Sequence, residues 1–473
     1  VTDTLIVVLD VGKTMAKLSL WTSAGSLIAR ETRPNQRIDT GAYVGLDAGG
    51  IEAWMGEVLT RFAGMGRIRA IIPVGHGAAA AIVRDGAIVQ PPLDYEEPVP
   101  AAEREPYDAG RDAFAHTGSP SLADGLNLGA QLHRLEAMDR DLLSGDALIL
   151  LWPQYWAWRL SGVAASEVTS LGCHTDLWRP IEARFSDMAI ARGWAAHFPP
   201  LKDAGEALGA ISAEWVERCG LPAGVQVHCG LHDSNAALLA ARGFAEIAEH
   251  ESTVLSTGTW FIAMRSPASA AGLDLSMLSE ARDCLINVDA FGKPIPSARF
   301  MGGREIELLT GIDTRRIDIK PDQPALVAAV PEVLASGARV LPAFAPGFGP
   351  FPHHKGRWIN MPQSHEARRA AVCLYAALMT NISLNLIGAR ERILVEGRFA
   401  EAEVFVRALA SLRPHDEIYV SHAHNDVSYG ALRLLDPSLK PTSALVRVQP
   451  LDVSLKDYSN AWRREVERLE HAL

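Results

Sequence analysis

Four short segments combine glycine with hydroxyl or carboxylate side chains in patterns suited to anions and proton transfer. The first is Asp10-Val11-Gly12-Lys13-Thr14. A glycine and a hydroxyl at a turn let backbone amides approach a phosphate, and a neighbouring carboxylate suits a cation. An ordinary turn with a capping Asp uses the same residues, and the segment alone leaves both readings open. The Gly-Lys-Thr triplet is not a P-loop. That motif needs a glycine five positions before Gly12, where this chain has Val7, and a strand-to-helix turn.

The second segment is Gly230-Leu231-His232-Asp233. Its Asp stands after a strand and before a helix, where it can take a proton from a hydroxyl or cap the helix. His228, Cys229 and His232 raise a zinc site as an alternative. Adjacent strand residues 228 and 229 face opposite ways, however, and no second cluster has ligand spacing. The third segment, Ser256-Thr257-Gly258-Thr259-Trp260, again offers close phosphate approach or a plain turn. In the fourth, Glu396-Gly397-Arg398, the glycine admits a flat base or serves a turn that needs positive φ. Trp152, Tyr155, Trp156 and Trp158 form an aromatic cluster that suits core packing, with one face available to a sugar ring. His353-His354-Lys355 reads as a surface loop.

These segments need elements to hold them. Residues 4–9 form a short β-branched run that predicts a buried strand. With a second strand over 18–21, they make a hairpin whose polar tip is residues 10–17. Residues 253–256 and 260–264 repeat that pattern, which suggests two similar domains, 1–243 and 244–473. Helices are expected over 51–62, 121–143, 147–160, 234–241, 368–386, 401–412, 429–435 and 460–473. Further strands are expected over 68–74, 225–229, 392–396 and 418–421. The Pro- and Glu-rich stretch 90–108 reads as an ordered loop, and 171–180 as turns. Alternating strands and helices predict an α/β fold with ligand near the strands' carboxyl ends.

Composition narrows the class. The 473 residues are 48% hydrophobic and 21% charged, which excludes a disordered, collagenous or coiled-coil chain. A net charge of −11 with no basic block argues against nucleic acid as a partner. Five irregularly spaced cysteines give no disulfide framework and fit a reducing compartment. The apolar run at Leu5–Leu9 ends at Asp10, too short for a signal segment or a membrane span. A cytoplasmic protein without membrane partners is the expectation.

In this order, the segments resemble the FGGY carbohydrate kinases, a branch of the sugar kinase/heat-shock-protein-70/actin superfamily. The resemblance covers nearly the whole chain. It rests on the two phosphate motifs around Gly12 and Gly258, the Asp233 segment, and Gly397 before a helix. Asn425–Ala431 is similar to the family's late Gly-Ala helix start. Met301-Gly302-Gly303-Arg304-Glu305 looks like a feature of some bacterial members. Gly258-Thr259-Trp260 looks most like the rhamnulokinase and fuculokinase branch. The chain departs from the family pattern in three places. Arg398 replaces a second glycine, Lys13 stands where many members have Thr or Ala, and Pro73–Ala80 lacks the xylulokinase sugar pattern.

The resemblance implies two ribonuclease-H-like domains of the actin/hexokinase type around a cleft, sugar on the N-terminal domain and ATP on the C-terminal one. Asp233 would deprotonate a primary sugar hydroxyl attacking the γ-phosphate, and Asp10 would hold Mg²⁺ through water. Gly12, Lys13, Thr14, Gly258, Thr259, Gly397 and Arg398 would bind the nucleotide. His76, Tyr95, Glu96, Trp152, Gln154, His174, His232 and Asp233 would meet the sugar. A ketose such as L-rhamnulose, L-fuculose or a pentulose fits the branch. Shorter ketoses and polyols stay open, as does a homodimer. The competing classes are a sugar- or nucleotide-sensing protein on the same fold, a metal-dependent hydrolase using His228, Cys229 and His232, and a chaperone-like ATPase.

Overall fold

A computed structural model describes residues 4–269, 273–316, 318–421 and 427–470. The chain divides into two compact units. The first holds residues 4–243, 286–294 and 427–440 of the described chain; the second holds the rest.

The first unit is organised by strand Leu5–Val11, buried along its whole length. A strand covered on both faces has no use for polar alternation, so Leu5–Leu9 is a continuous apolar run, and Asp10 near the strand's end is its one polar residue. It pairs antiparallel with Met15–Thr22, which pairs antiparallel with Leu27–Pro34. On its other side it pairs parallel with Ile68–Gly75. A parallel partner needs a crossover, and helix Ala48–Ala63 supplies it, started by the Asp47 carboxylate accepting from the Gly50 N–H. Gln226–His228 continues the sheet in parallel, and Ala207–Ala210 closes it antiparallel.

The second unit repeats this plan. Its central strand, Ser252–Thr257, has Phe261–Ser266 and then Pro294–Phe300 on its antiparallel side. Arg392–Gly397 and Glu417–Val420 follow in parallel, and Val446–Arg447 closes antiparallel. The 22-residue helix His365–Leu386 lies in the core of this unit and is capped by the Ser364 hydroxyl accepting from the Ala367 N–H. The echo between the two hairpins in the sequence is therefore the visible part of two sheets with a shared central strand arrangement; the closing strand precedes its partner in the first sheet and follows it in the second, which also carries an extra edge strand, Cys284–Val288. No described helix is long and apolar enough to cross a membrane.

A single division after residue 243 does not describe the chain. Residues 286–294 and 427–440 belong with the first unit. Helix Val427–Leu435 packs on helix Asp233–Ala241, and its buried Ala431 and Leu432 join Ile6, Val8, Ile72 and Val74 in one apolar cluster. Gly430 permits that approach: a Cβ there would sit 1.7 Å from the Ala236 carbonyl oxygen. Of the expected late helix start, Asn425 and Asp426 lie outside the described residues.

Three local expectations also change. Residues 101–110, expected as loop, form a helix anchored by fully buried Tyr107 and an Arg104–Asp108 ion pair at 2.9 Å. The run 147–160 is not one helix. Leu148–Leu151 is a strand paired with Ala80–Arg84, and the helix starts at Trp152. Pro153 favours that start, because it lacks the N–H that a first turn leaves unbonded. Within 121–143 the helix covers only Leu128–Met138. We expect Gly430→Ala to destabilise the protein by about 2 kcal/mol, the range for overpacking, measured as a lowered denaturation midpoint.

Candidate active site

One row of backbone partners assembles the polar group of the first unit. Val11 pairs with Gly75, and Gly75 pairs with His232. The residues just beyond that row are the hairpin tip, His76 and Asp233, which therefore emerge at one sheet end. His76 donates its own N–H to the Val11 carbonyl at 3.2 Å.

Asp233 opens helix Asp233–Ala241, and its side chain keeps 30% exposure. His232 Nε2 stands 3.2 Å from Asp233 Oδ1, and the Ser234 hydroxyl donates to the same oxygen at 3.3 Å. Asn235 Nδ2 lies 3.4 Å from His232 Nδ1. With the amide donating there, the imidazole proton is left on Nε2, aimed at the carboxylate. Desolvation pushes the His232 imidazole down to about 4, so it is neutral at ordinary pH. His76 is lowered by the same cause. Burial raises the Asp233 carboxyl above its ordinary value, opposed by His76, by the Ser234 hydrogen bonds and by Lys17.

His76 is 7% exposed, and its Nδ1 donates to the Gly77 carbonyl at 2.8 Å. Its ring lies 5.5 Å from the Tyr95 ring and 6.2 Å from Trp152. Lys13 Nζ sits 4.6 Å above the Tyr95 ring centre and pairs with Asp94. Thus the structure brings together Lys13, His76, Tyr95, Trp152, His232 and Asp233. Glu96 is half exposed and paired with Arg37 at the edge of this group.

Asp10 is 3% exposed, with Lys17 Nζ at 3.0 Å. The two are direct cross-strand partners, and such pairs share a sheet face. At the tip, Gly12 N–H donates to the Met15 carbonyl at 3.0 Å, Asn35 Nδ2 donates to the Gly12 carbonyl at 2.7 Å, and Thr14 is exposed. Asp10 is the acidic side chain of this hairpin, and a lone carboxylate can hold a magnesium ion only through that ion's water shell, with the Lys17 ammonium as a competitor for the same oxygens.

Other candidates bond elsewhere. Gln154 is fully buried and donates to the carbonyls of Cys229 and Gly230 at 3.2 and 3.1 Å, fixing the turn before Asp233. His174 Nδ1 donates to the Leu126 carbonyl at 2.7 Å. His228 Nδ1 donates to the Gly205 carbonyl, away from His232. Opposite Gln154, the His232 N–H donates to Thr169 Oγ1 at 2.9 Å, and Thr169 donates to the buried Glu167 carboxylate at 2.6 Å. Burial raises Glu167 to about 7.

In the second unit the hairpin tip Gly258–Trp260 is closed by Gly258 N–H donating to the Trp260 carbonyl at 2.9 Å. The Trp260 ring packs edge-on to Phe348 at 5.0 Å, with the Arg299 guanidinium 4.9 Å away. Gly397 pairs with Thr257, has φ +86°, and leaves no room for a Cβ, which would meet the Thr257 oxygen at 2.2 Å. Close backbone packing therefore requires this glycine, whatever ligand it meets. Arg398 is drawn aside, donating to the Thr314 hydroxyl at 3.1 Å with Glu307 at 4.0 Å. The Met301–Glu305 segment is structural here. Buried Glu305 accepts from the Phe344 and Ala345 N–H groups at 2.9 and 3.0 Å and from the Tyr375 hydroxyl at 2.6 Å.

Sequence reading missed Lys17, Asp94, Thr169 and Glu167. Lys17 had a signal, because the opposite charges at both ends of Asp10–Lys17 face each other once the hairpin is accepted. Asp94 and Thr169 had none, since Lys13 and His232, which they meet, are far away in sequence.

Comparison with known proteins decides the family. Residues 249–442 match the family described as carbohydrate kinase FGGY, C-terminal domain. A carbohydrate kinase from Novosphingobium aromaticivorans is 55% identical, covers 99% of both chains and superposes with a TM-score of 0.95.

The chain belongs to the FGGY carbohydrate kinases.

Among FGGY relatives, the L-fuculokinase of Escherichia coli K12 is 28% identical over 60% of this chain, and the matched part spans 61% of that protein. The L-fuculokinase of Salmonella typhi is 26% identical over 83% of this chain and 84% of its own length. Xylulose kinase from Rhodospirillum rubrum shares the fold at 18% identity, with a TM-score of 0.79 and 99% of each chain covered. We expect Gln154→Leu to cost about 1–3 kcal/mol of stability, because two buried carbonyls lose their donor; chemical denaturation measures it.

Proposed function

We propose that this FGGY protein transfers the γ-phosphoryl group of ATP to a primary hydroxyl of a ketose, with L-fuculose the first candidate. The observation that carries this reading is Asp233, a carboxylate at a helix start with raised proton affinity, whose Oδ1 stands 3.2 Å from the ring of the neutral His232. A base of that kind is matched to an alcohol, which needs its proton removed only as the bond to phosphorus forms. His232 orients Asp233 Oδ1 and leaves the second carboxylate oxygen for the sugar hydroxyl. His76, Tyr95 and Trp152 supply one imidazole and two aromatic faces, a combination suited to the polar edge and apolar face of a sugar. The names of the L-fuculokinase relatives support L-fuculose, with L-rhamnulose and pentuloses next.

The second unit supplies the nucleotide contacts in this reading, through amides and hydroxyls at Gly258 and Thr259 and the backbone at Gly397. Gly12 and Thr14 offer the same groups on the first unit, and Asp10 would hold magnesium through water. The metal ion, when bound, supplies neutralisation of charge building on the phosphoryl oxygens. Cytoplasmic localisation and independence from membranes belong to this reading.

The test is ADP release with Mg-ATP against L-fuculose, L-rhamnulose, D-xylulose, aldoses and polyols. Stimulation by a ketose is expected, and no stimulation by any sugar overturns the kinase reading. Asp233→Asn is expected to lower kcat by about 10²–10⁴-fold, the usual weight of a general base, while calorimetry shows sugar binding retained. Activity should also fall on the acid side. The base works deprotonated, so kcat/KM declines as pH drops through the Asp233 pKa. Because burial raises that pKa, the decline should begin above the range of an exposed aspartate; a pH–rate profile measures it.

A further inference from the structure

Lys13 stands in the loop where nucleotide phosphate is expected, yet its bonding points elsewhere. A lysine serving an incoming phosphate keeps its ammonium toward water. The Lys13 side chain is only 11% exposed and pairs with Asp94, itself 1% exposed. Glu96 Oε2 lies 3.7 Å from the same ammonium, and the Tyr95 ring centre lies 4.6 Å from it. Asp94 is also ion-paired with Arg37 Nε at 3.0 Å, and its Oδ1 accepts from the Glu96 N–H at 2.9 Å. The ammonium is thus held by three consecutive residues, Asp94, Tyr95 and Glu96, whose middle member faces His76 at 5.5 Å.

We propose that Lys13 is a positioning residue for the sugar: it clamps the 94–96 loop to the hairpin tip and so fixes Tyr95 against His76. The proposal rests on the kinase reading for the identity of the sugar site. A phosphate drawing Lys13 away would leave Asp94 buried beside one remaining cation, Arg37, which is costly. The pair therefore stays made when nucleotide binds, and the nucleotide gains little from Lys13. A side chain too short to reach the buried Asp94 carboxylate could not serve this role.

The experiment is calorimetry of each ligand alone, with steady-state kinetics beside it. L-fuculose, L-rhamnulose and D-xylulose are titrated without nucleotide, and Mg-ATP without sugar. For Lys13→Met we expect sugar Kd and KM to rise about tenfold, with the Kd and KM of ATP within twofold of wild type. Lys13→Arg should recover most of the sugar affinity, because it restores the charge and the contact with the Tyr95 ring. Asp94→Asn combined with Lys13→Met should lose less than the two single losses multiplied, since the clamp is one interaction. Circular dichroism of each variant verifies folding, and if Lys13→Met does not fold, Lys13→Gln takes its place. A tenfold loss of ATP affinity with sugar binding intact overturns the proposal in favour of a phosphate ligand, and no change in either ligand overturns it as well. If a sugar binds but is not phosphorylated, the kinase reading fails while weakened binding in Lys13→Met sustains the clamp. If none of the three sugars binds the wild type, both fail.

Discussion

Everything at the polar end of the first unit depends on the parallel pairing of Leu5–Val11 with Ile68–Gly75. That register sets Val11, Gly75 and His232 in one row, so three chain segments far apart in sequence end at the same level. A slip of one residue would turn every side chain on a strand to the opposite face. The register is held by burial. Val7, Val8, Leu9, Ile71, Ile72 and Val74 are all inaccessible to water, and exposing such a set costs far more than any polar contact at the tip returns. The apolar core thereby fixes the positions of Asp10, His76 and Asp233, which contribute little to it themselves.

The second unit uses the same arrangement around its own central strand. Its central strand again carries a hairpin on one side and parallel strands on the other. What differs is the residue type beyond the row. The first unit has a carboxylate, histidines and aromatic rings there. The second has glycines and hydroxyls whose backbones lie close, as at Gly397 and Thr257. One scaffold therefore presents side chains in one unit and main chain in the other.

Both hairpins were legible in the sequence because short apolar strands stop at polar, glycine-containing tips. The segment around Asp233 was legible for the same reason. Helix Ala101–Gly110 was hidden by its proline and glutamate content, although Tyr107 and the Arg104–Asp108 pair hold it. The strand–helix junction at Trp152 was hidden because an unbroken apolar run has no period to read. Division of the chain was misjudged because membership of a unit depends on packing, and helix Val427–Leu435 packs against residues some two hundred positions earlier. Among the site residues, Gln154 and His174 show the limit plainly. Residue type suggested sugar contacts, and the structure adds a backbone task that type alone did not show: the Gln154 amide donates to the Cys229 and Gly230 carbonyls, and His174 Nδ1 donates to the Leu126 carbonyl. Lys13 shows the converse, since its loop was read correctly and its partner could not be.

The aromatic cluster at the start of helix Trp152–Ser161 has an optical consequence. Trp152 is 1% exposed, stacked on Tyr155 at 5.6 Å and edge-on to Trp156 at 5.1 Å, with the His76 ring 6.2 Å away. An indole shut away from water emits at short wavelength, and a protonated imidazole beside it quenches that emission. Burial keeps His76 neutral to lower pH than usual, so the blue-shifted emission of Trp152 persists until that ring takes up its proton. The chain thus carries an intrinsic fluorophore beside one of the histidines at the sheet end.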